Sequence, residues 1–581
     1  MLRKKWLPLV VTLFFILSVF LTSCSSKTQT QTPQTSEETN KTPTASVQDS
    51  DNWTKAKDTS KIPEASKSRT DTIIIGLHEP KGVFNPLYAE TSYDMYVNSA
   101  MFDSLLDVDF DGTYIPSLAK SWDVDKDSNT MTFHLRDDVK FSDGTPLTAK
   151  DVEFSYYVLA DPTYDGPISL AAAGIKGFKE YNEGNADKIE GIKVIDDHTI
   201  QIQLEKVLGT SLSDLNIPVI PQHYYGKDFA KGKLDGVKAL EEKPLGSGPY
   251  VFEKFVPGQE VDLVANENYW KGTPKIKHLI YKTTTDETAV QMLQTGETDY
   301  ETSNISAKKD NVELLESLGF VDYSLLPTNG YGYIAFNHKL PKFQDVRVRK
   351  ALAYGLNRKA IVDAVYQGLA EVRDVPQSKV SWAYPDESQI IHYDYNPEKA
   401  KQLLDEAGWK VGPDGYRYKD GKKFTIHFLA SSPNPVNDAL VPMAVENYKE
   451  LGIEFVAEPL EFNAIIDKVN KGDFEMYFMA WGLTPEPDPY TIFFSKGSQN
   501  RIGYANPKVD ELILKGREET DINKRKEIYH ELYKVLNDDL PYIFMYQRND
   551  LNAKNARVVG FQISSFRDFT YSLYQAEILQ Y

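Results

Sequence analysis

TNGYGYIAFNHKLPKFQDVRVRKALAYGLNR, residues 328–358, decides how this chain is divided. Gly330, Tyr331, Gly332, Tyr333, Ile334, Ala335 and Phe336 read as a strand. A loop carrying Pro341 then leads to a helix that Asp345 is placed to cap. Asn357 starts a second helix, with Ile361, Val362 and Val365 on one face and Gly368 behind it. Upstream the chain reads mostly as strand and loop, and downstream helices alternate with strands. The stretch is therefore expected to join two lobes, with its tyrosines exposed in the cleft between them. The same residues also suit an ordinary core strand with a glycine-relaxed end.

Downstream, Asn396, Pro397 and Glu398 start a helix with Ala400, Leu403, Leu404 and Ala407 on one face and Gly408 closing it. The pattern then predicts a strand at 425–429, a helix at 438–451, a strand at 453–457, a helix at 463–471 and a strand at 474–480. Leu440, Val441, Ala444, Val445, Tyr448 and Leu451 are expected to face the core, and Pro442 falls in the first turn if Asp438 is the cap. This β-α-β-α-β order implies a parallel sheet with right-handed crossovers. Ligands bind beyond the carboxyl ends of such strands, which here places the loop WGLTPEPDP, residues 481–489, at the site. A last helix from Lys524 leads to Tyr542, Ile543, Phe544, Met545 and Tyr546, read as a strand crossing back to the first lobe.

Upstream, the strand from Thr72 is followed by a loop with Phe84, Asn85 and Pro86 and by an apolar helix ending near Leu106. Residues 118–135 read as a hairpin, Thr148 and Asp151 as a capping pair for the helix beyond them, and 191–204 as a strand pair. Residues 1–24 carry Arg3, Lys4 and Lys5, an apolar run from Leu7 to Leu21, and small residues before Cys24, which is a signal-peptide pattern. From Ser25 to about Arg69 almost nothing is apolar. Such a segment buries too little surface to offset its ordering entropy and is expected to be a flexible tether.

The chain has 581 residues and a formal charge of −19. Removing the first 23 residues, which hold three basic side chains and no acid, lowers the charge to −22. So acidic a surface argues against nucleic acid as a partner and against basic-patch binding to anionic lipid. Cys24 is the only cysteine, so a disulfide scaffold and a thiol enzyme working from the folded part are excluded. No two of the nine histidines lie within four residues of each other, and metal-ligand spacings such as HExxH are missing. The glycine-lysine pairs at Gly232 and Gly421 have the wrong spacing for a phosphate loop, and no GxSxG occurs. No catalytic residue, metal or cofactor is expected. The 35 tyrosines exceed what a core needs and suit a surface that recognises varied ligands.

Six blocks in order resemble the bacterial extracytoplasmic solute-binding proteins of the oligopeptide/dipeptide/nickel class (family 5), which serve ABC importers. They are LAKSWDVDKDSNTMTFHLRDDVKFSDGTPLTAKDVEFSY from Leu118, IPQHYY from Ile220, GSGPYVFEKF from Gly246, YIAFNHKLPKFQDVRVRKALAYGLNR from Tyr333, YNPEKAKQLLDEAGW from Tyr395 and AWGLTPEPDPY from Ala480. The ending Leu21-Thr22-Ser23-Cys24 resembles a bacterial lipobox, which implies cleavage before Cys24 and lipid on its sulfur.

The resemblance implies an α/β fold, a two-lobed periplasmic-binding-protein-like clamp (type II, cluster C) with an extra domain inserted in the first lobe. The expected division is 1–23 signal peptide, 24–70 lipidated Cys24 and tether, 71–105 first lobe, 106–240 inserted domain, 241–330 first lobe, 331–543 second lobe, and 544–581 first lobe again. The function implied is capture of peptides outside the membrane for a permease and ATPase complex, by a monomer held to the membrane through Cys24 and not by an enzyme. An oligosaccharide ligand, or a surface receptor without transport, is the alternative. Trp481 and Gly482 match the family's cleft-lining tryptophan and the backbone beside it, and Tyr331, Tyr333, Tyr546 and Asn85 are further candidates for ligand contact. Several peptide-binding members carry an acid three residues after the tryptophan to meet the peptide's α-amine, and here that position is Thr484. Glu486 and Asp488 remain in the loop; Asp488 is assigned to capping before Pro489, and Glu486 is the candidate for the cleft.

Overall fold

The computed structural model describes residues 47–302 and 304–581. The expected signal peptide and the lipidated Cys24 lie outside the described residues. Among the described residues no helix is long and apolar enough to cross a membrane.

The second lobe is built as the hydrophobic pattern requires. Strands Thr425–Ser431, Glu454–Leu460 and Met476–Gly482 are parallel, with the first in the middle. Helices Pro435–Glu450 and Phe462–Lys471 connect them. Two details differ from the sequence reading. The first helix starts three residues earlier, because the cap is Asn434, whose side chain accepts the N–H groups of Val436 (2.9 Å) and Asn437 (3.2 Å), and Pro435 takes the first position. Pro442 therefore lies inside the helix rather than in its first turn. The buried stripe is Leu440, Ala444, Tyr448 and Leu451, at helical spacing, while Val445 turns outward and is 42% exposed. The caps expected at Asp345, Asn357 and Asn396 are all made by side-chain oxygens.

In the first lobe, strand Thr72–Leu77 runs parallel to His278–Thr283 on one side and Tyr300–Glu301 on the other. Within 106–240, strands Ala119–Asp125, Thr130–Leu135, Thr199–Gln203 and Ile192–Asp196 form an antiparallel sheet. Helix Ala149–Leu159 follows the second of these strands, and Asp151 accepts the Thr148 N–H at 2.8 Å, one half of the expected capping box. The buried core of this sheet is continuous with that of the first lobe.

The chain passes between the lobes twice. Strand Val321–Pro327 belongs to the first lobe and Gly330–Phe336 to the second, so one crossing is at Thr328 and Asn329. Strand Tyr542–Asn555 pairs with the second lobe through 542–546 and with the first through 549–555. Gln547 pins both crossings together, donating to Thr328 O (2.8 Å) and to Ser378 Oγ (2.7 Å). The apolar core of the second lobe is separate from those of the first.

The flexible tether expected up to residue 70 is corrected, because residues 47–69 pack on the first lobe. Trp53 is buried and its indole donates to Phe561 O at 3.2 Å. The Asp49 carboxylate accepts the N–H groups of Gly560 (2.9 Å) and Phe561 (3.0 Å), and Lys554, fully buried, lies 3.0 Å from Asp49 and 2.8 Å from Asp322. Composition misses this because the segment is held by paired charges and two apolar anchors, Trp53 and Ile62, rather than by apolar area.

Candidate functional site

Trp481 and Gly482 end the strand Met476–Gly482, at the carboxyl edge of the parallel sheet. One side of that strand pairs along its whole length with Gly330–Phe336, placing Trp481 opposite Tyr331 and Gly482 opposite Gly330. Its other side meets Thr425–Ser431 only at Met476 and Tyr477. Residues 478–482 therefore present a free strand edge on which Ala480 and Gly482 are exposed.

Beside this edge is a cavity of about 330 Å³, lined by Tyr331, Trp481, Gly482, Tyr546, Arg548, Asp550 and Ser565 among others. A second cavity of about 200 Å³ adjoins it and is lined by Tyr96, Thr302, Asn552, Arg567 and Asp568. Thr328, Asn329, Asp550 and Ser565 are common to both. The space thus runs from the second lobe to the first, across the two crossings.

The tyrosines are not exposed in this cleft as the sequence suggested. Tyr331 and Tyr333 are each 2% exposed and Tyr546 is 5% exposed. Tyr333 is stacked between Trp481 (centroids 5.9 Å apart, planes 7° apart) and Tyr542 (4.3 Å), and it lines neither cavity. Its role is to fix the indole plane. Tyr546 accepts the Tyr366 hydroxyl at 2.9 Å and lies over Gly332, where an added Cβ would come within 2.7 Å of its ring. Tyr331 and Tyr546 still contribute to the cavity wall.

Asn85 lies elsewhere. It is wholly buried, its side-chain oxygen accepts the Leu87 N–H at 3.0 Å, and it lines neither cavity, so it shapes its own loop. Glu486 is also withdrawn from the cleft: both its oxygens hold Arg525, at 2.6 and 3.2 Å. Burial pushes the Glu486 carboxyl up to about 7, against the pull of that guanidinium. Asp488 accepts the Tyr490 N–H at 3.0 Å and its second oxygen takes Arg517 at 2.7 Å, but the helix Tyr490–Phe493 has Pro489 as its N-cap, so Asp488 stands one residue before the cap position read from the sequence. The loop is tied at its base by Asn329, whose amide donates to the carbonyls of Leu483 and Thr484, both at 3.0 Å.

Arg548 and Asp550 are cleft residues that sequence reasoning missed. They alternate on the crossing strand, 3.2 Å apart, and both line the larger cavity. Their side chains are 40% and 38% exposed, and both line the cavity between the lobes. Burial accordingly pushes the Asp550 carboxyl above its ordinary range, with Arg548 opposing it. Two charges at alternate positions, just after the apolar run 542–546 and beside the lobe junction, are the signal that would have found them. Asn329 Oδ1 and Tyr331 Oη are buried with no hydrogen-bond partner in the protein, and both residues line this cavity. Among the described residues no cluster of three or more His, Cys, Asp or Glu is placed to hold a metal.

The chain is similar to the oligopeptide-binding protein AppA of Bacillus subtilis, with 28% identity over 97% of this chain and 98% of the relative. It is 29% identical to heme-binding protein A of Haemophilus influenzae, over 87% of this chain and 92% of that one. The structure of the Bacillus subtilis AppA complex with a nonapeptide superposes with a TM-score of 0.72 and 27% identity, covering 88% of this chain and 99% of that chain. Residues 113–502 match the family described as bacterial extracellular solute-binding proteins, family 5 middle. With a two-lobed α/β fold, a cleft at the carboxyl edge of the parallel sheet and a family match over more than half its length, the chain belongs to family 5 of the bacterial extracellular solute-binding proteins.

Proposed function

We propose that this chain is the substrate-binding component of an ABC importer, which captures peptides outside the membrane and delivers them to a permease and ATPase complex. The observation that carries the reading is the free strand edge at 478–482 beside an interlobe cavity. An extended peptide adds to such an edge through its main chain, and its side chains fill the space alongside. Small residues at Ala480 and Gly482 leave room for that backbone, and Trp481 gives a flat apolar wall. Arg548 and Asp550 suit a ligand that carries charge, which favours a peptide over a neutral oligosaccharide. The lobes close over the ligand by a population shift, driven by contacts made with both lobes at once.

The relatives also support the peptide reading, since AppA of Bacillus subtilis is an oligopeptide-binding protein whose structure holds a nonapeptide. The test is native mass spectrometry of the protein purified without denaturation, with sequencing of what is released from the cleft. Peptides are expected; recovery of sugars or heme alone would overturn the reading. The chain acts as a monomer without catalysis, and Cys24 carries the lipid that holds it at the membrane surface. Cys24→Ser should move the protein from the membrane to the soluble fraction, and a variant that stays bound would exclude the anchor.

A further inference from the structure

Outside the lining of the two cavities, the second lobe touches the inserted domain through a polar seam. Arg517, at the end of helix Pro507–Glu518, and Arg525, in the first turn of helix Ile522–Asp539, are each about 5% exposed. Within their own lobe they are held by Asp488 and Glu486, the two acids of the loop that begins at Trp481. Across the seam, Arg517 donates to Ala172 O (3.1 Å) and to the Asp214 carboxylate (3.4 Å), while Arg525 donates to Gly209 O (3.2 Å). The backbone joins in, with the Gly209 N–H donating to Arg517 O at 2.7 Å. Lys206 and Glu518, 3.0 Å apart and half exposed, flank the contact.

Three features mark the seam as separable. The apolar cores of the two lobes do not merge, so what opens here is a set of hydrogen bonds and charges that water can replace. Each arginine keeps a carboxylate of its own lobe, so neither is left as an unpaired buried charge when the seam parts. The approach is also closer than a side chain allows. A Cβ on Gly209 would lie 2.2 Å from Glu519 O and 2.8 Å from Arg525 Nε. Gly209 has no left-handed backbone angle, so only the contact across the seam calls for glycine there.

We propose that Arg517 and Arg525 are positioning residues that latch the second lobe onto the Gly209 and Asp214 segment of the inserted domain. Through Asp488 and Glu486 the latch couples the Trp481 loop to closure, and it sets how far the clamp is shut before ligand arrives. The inference rests on the reading of the protein as a clamp, but it concerns residues that line neither of the two cavities.

The test uses the ligand-free protein. Gly209→Ala places a wedge in the seam, and Asp214→Asn removes the charge that Arg517 reaches, with little change of shape. Small-angle scattering gives the radius of gyration, and hydrogen exchange followed by mass spectrometry reads peptides covering 205–215. Both variants are expected to show a larger radius and about tenfold faster exchange in that segment. The melting temperature should stay near that of the wild type, a split that a merely structural role would not produce. Unchanged radius and exchange in both variants would overturn the latch, as would a collapse of melting temperature in both. No ligand enters these measurements, so the peptide reading stands or falls separately on what co-purifies.

Discussion

The Glu486 carboxylate grips the Arg525 guanidinium with both oxygens, the shorter contact being 2.6 Å, and this takes the one unassigned acid of the tryptophan loop out of the cleft. Glu486→Gln would leave a buried arginine without its charge partner. A loss of about 3 kcal/mol of stability is expected. Affinity for a bound peptide and for its N-acetylated form should change by the same factor. Urea denaturation and calorimetry on the two peptides check this; selective loss of the free-amine form would put Glu486 back in the site.

Trp481 is held flat by Tyr333 and walls the larger cavity. Trp481→Ala should weaken peptide binding by about tenfold or more, corresponding to roughly 2 kcal/mol for a buried aromatic contact. The melting temperature should fall only modestly, because the indole is not fully buried. Calorimetry with thermal denaturation decides it, and a collapsed fold with unchanged affinity in the surviving fraction would make the residue part of the core.

Asp550 balances Arg548 in the cleft between the lobes. Asp550→Asn leaves the guanidinium unopposed there. Ligands with a cationic group in the cleft should then lose about tenfold in affinity, and those with an anionic group should gain. Two peptides of one length that differ by a single Lys-to-Glu exchange provide the comparison. An equal effect on both would reduce the pair to a strut between strands.

Glu301 bears on stability against pH. It is wholly buried, with the hydroxyls of Thr298 (2.8 Å) and Thr284 (3.1 Å) as partners, and burial pushes its carboxyl up to about 8 from an ordinary value near 4.5. Over that window the folded chain keeps a proton that the unfolded chain has released. Stability therefore falls as pH rises from about 4.5 to about 8, by at most ~1.4 kcal/mol per pH unit, and levels off above. Glu301→Gln keeps the shape and removes the ionisation, so its stability should decline less steeply. Urea titrations between pH 5 and 8 test the difference; equal slopes would mean that Glu301 is ionised in the folded protein.

What the sequence determined by itself was local or periodic. Asp345, Asn357 and Asn396 announce their helices because a cap acts on N–H groups two or three residues away. The alternation between 425 and 482 is legible because strand and helix periods differ, and by itself it puts Trp481 at the carboxyl edge of the sheet. Partner choice over long range was decided only by the tertiary structure. Arg525, 39 residues from Glu486, takes that acid away from the ligand, and Asp49 bonds to Gly560 across 511 residues to fasten a segment whose composition reads as tether. Tyr331, Tyr333 and Tyr546 have the chemistry of a cleft, but ring packing against Trp481, Tyr542 and Tyr366 set how much of each reaches it. A pairing of this kind depends on which surfaces the fold brings within a few ångströms, and residue order along one strand or helix carries no term for that distance.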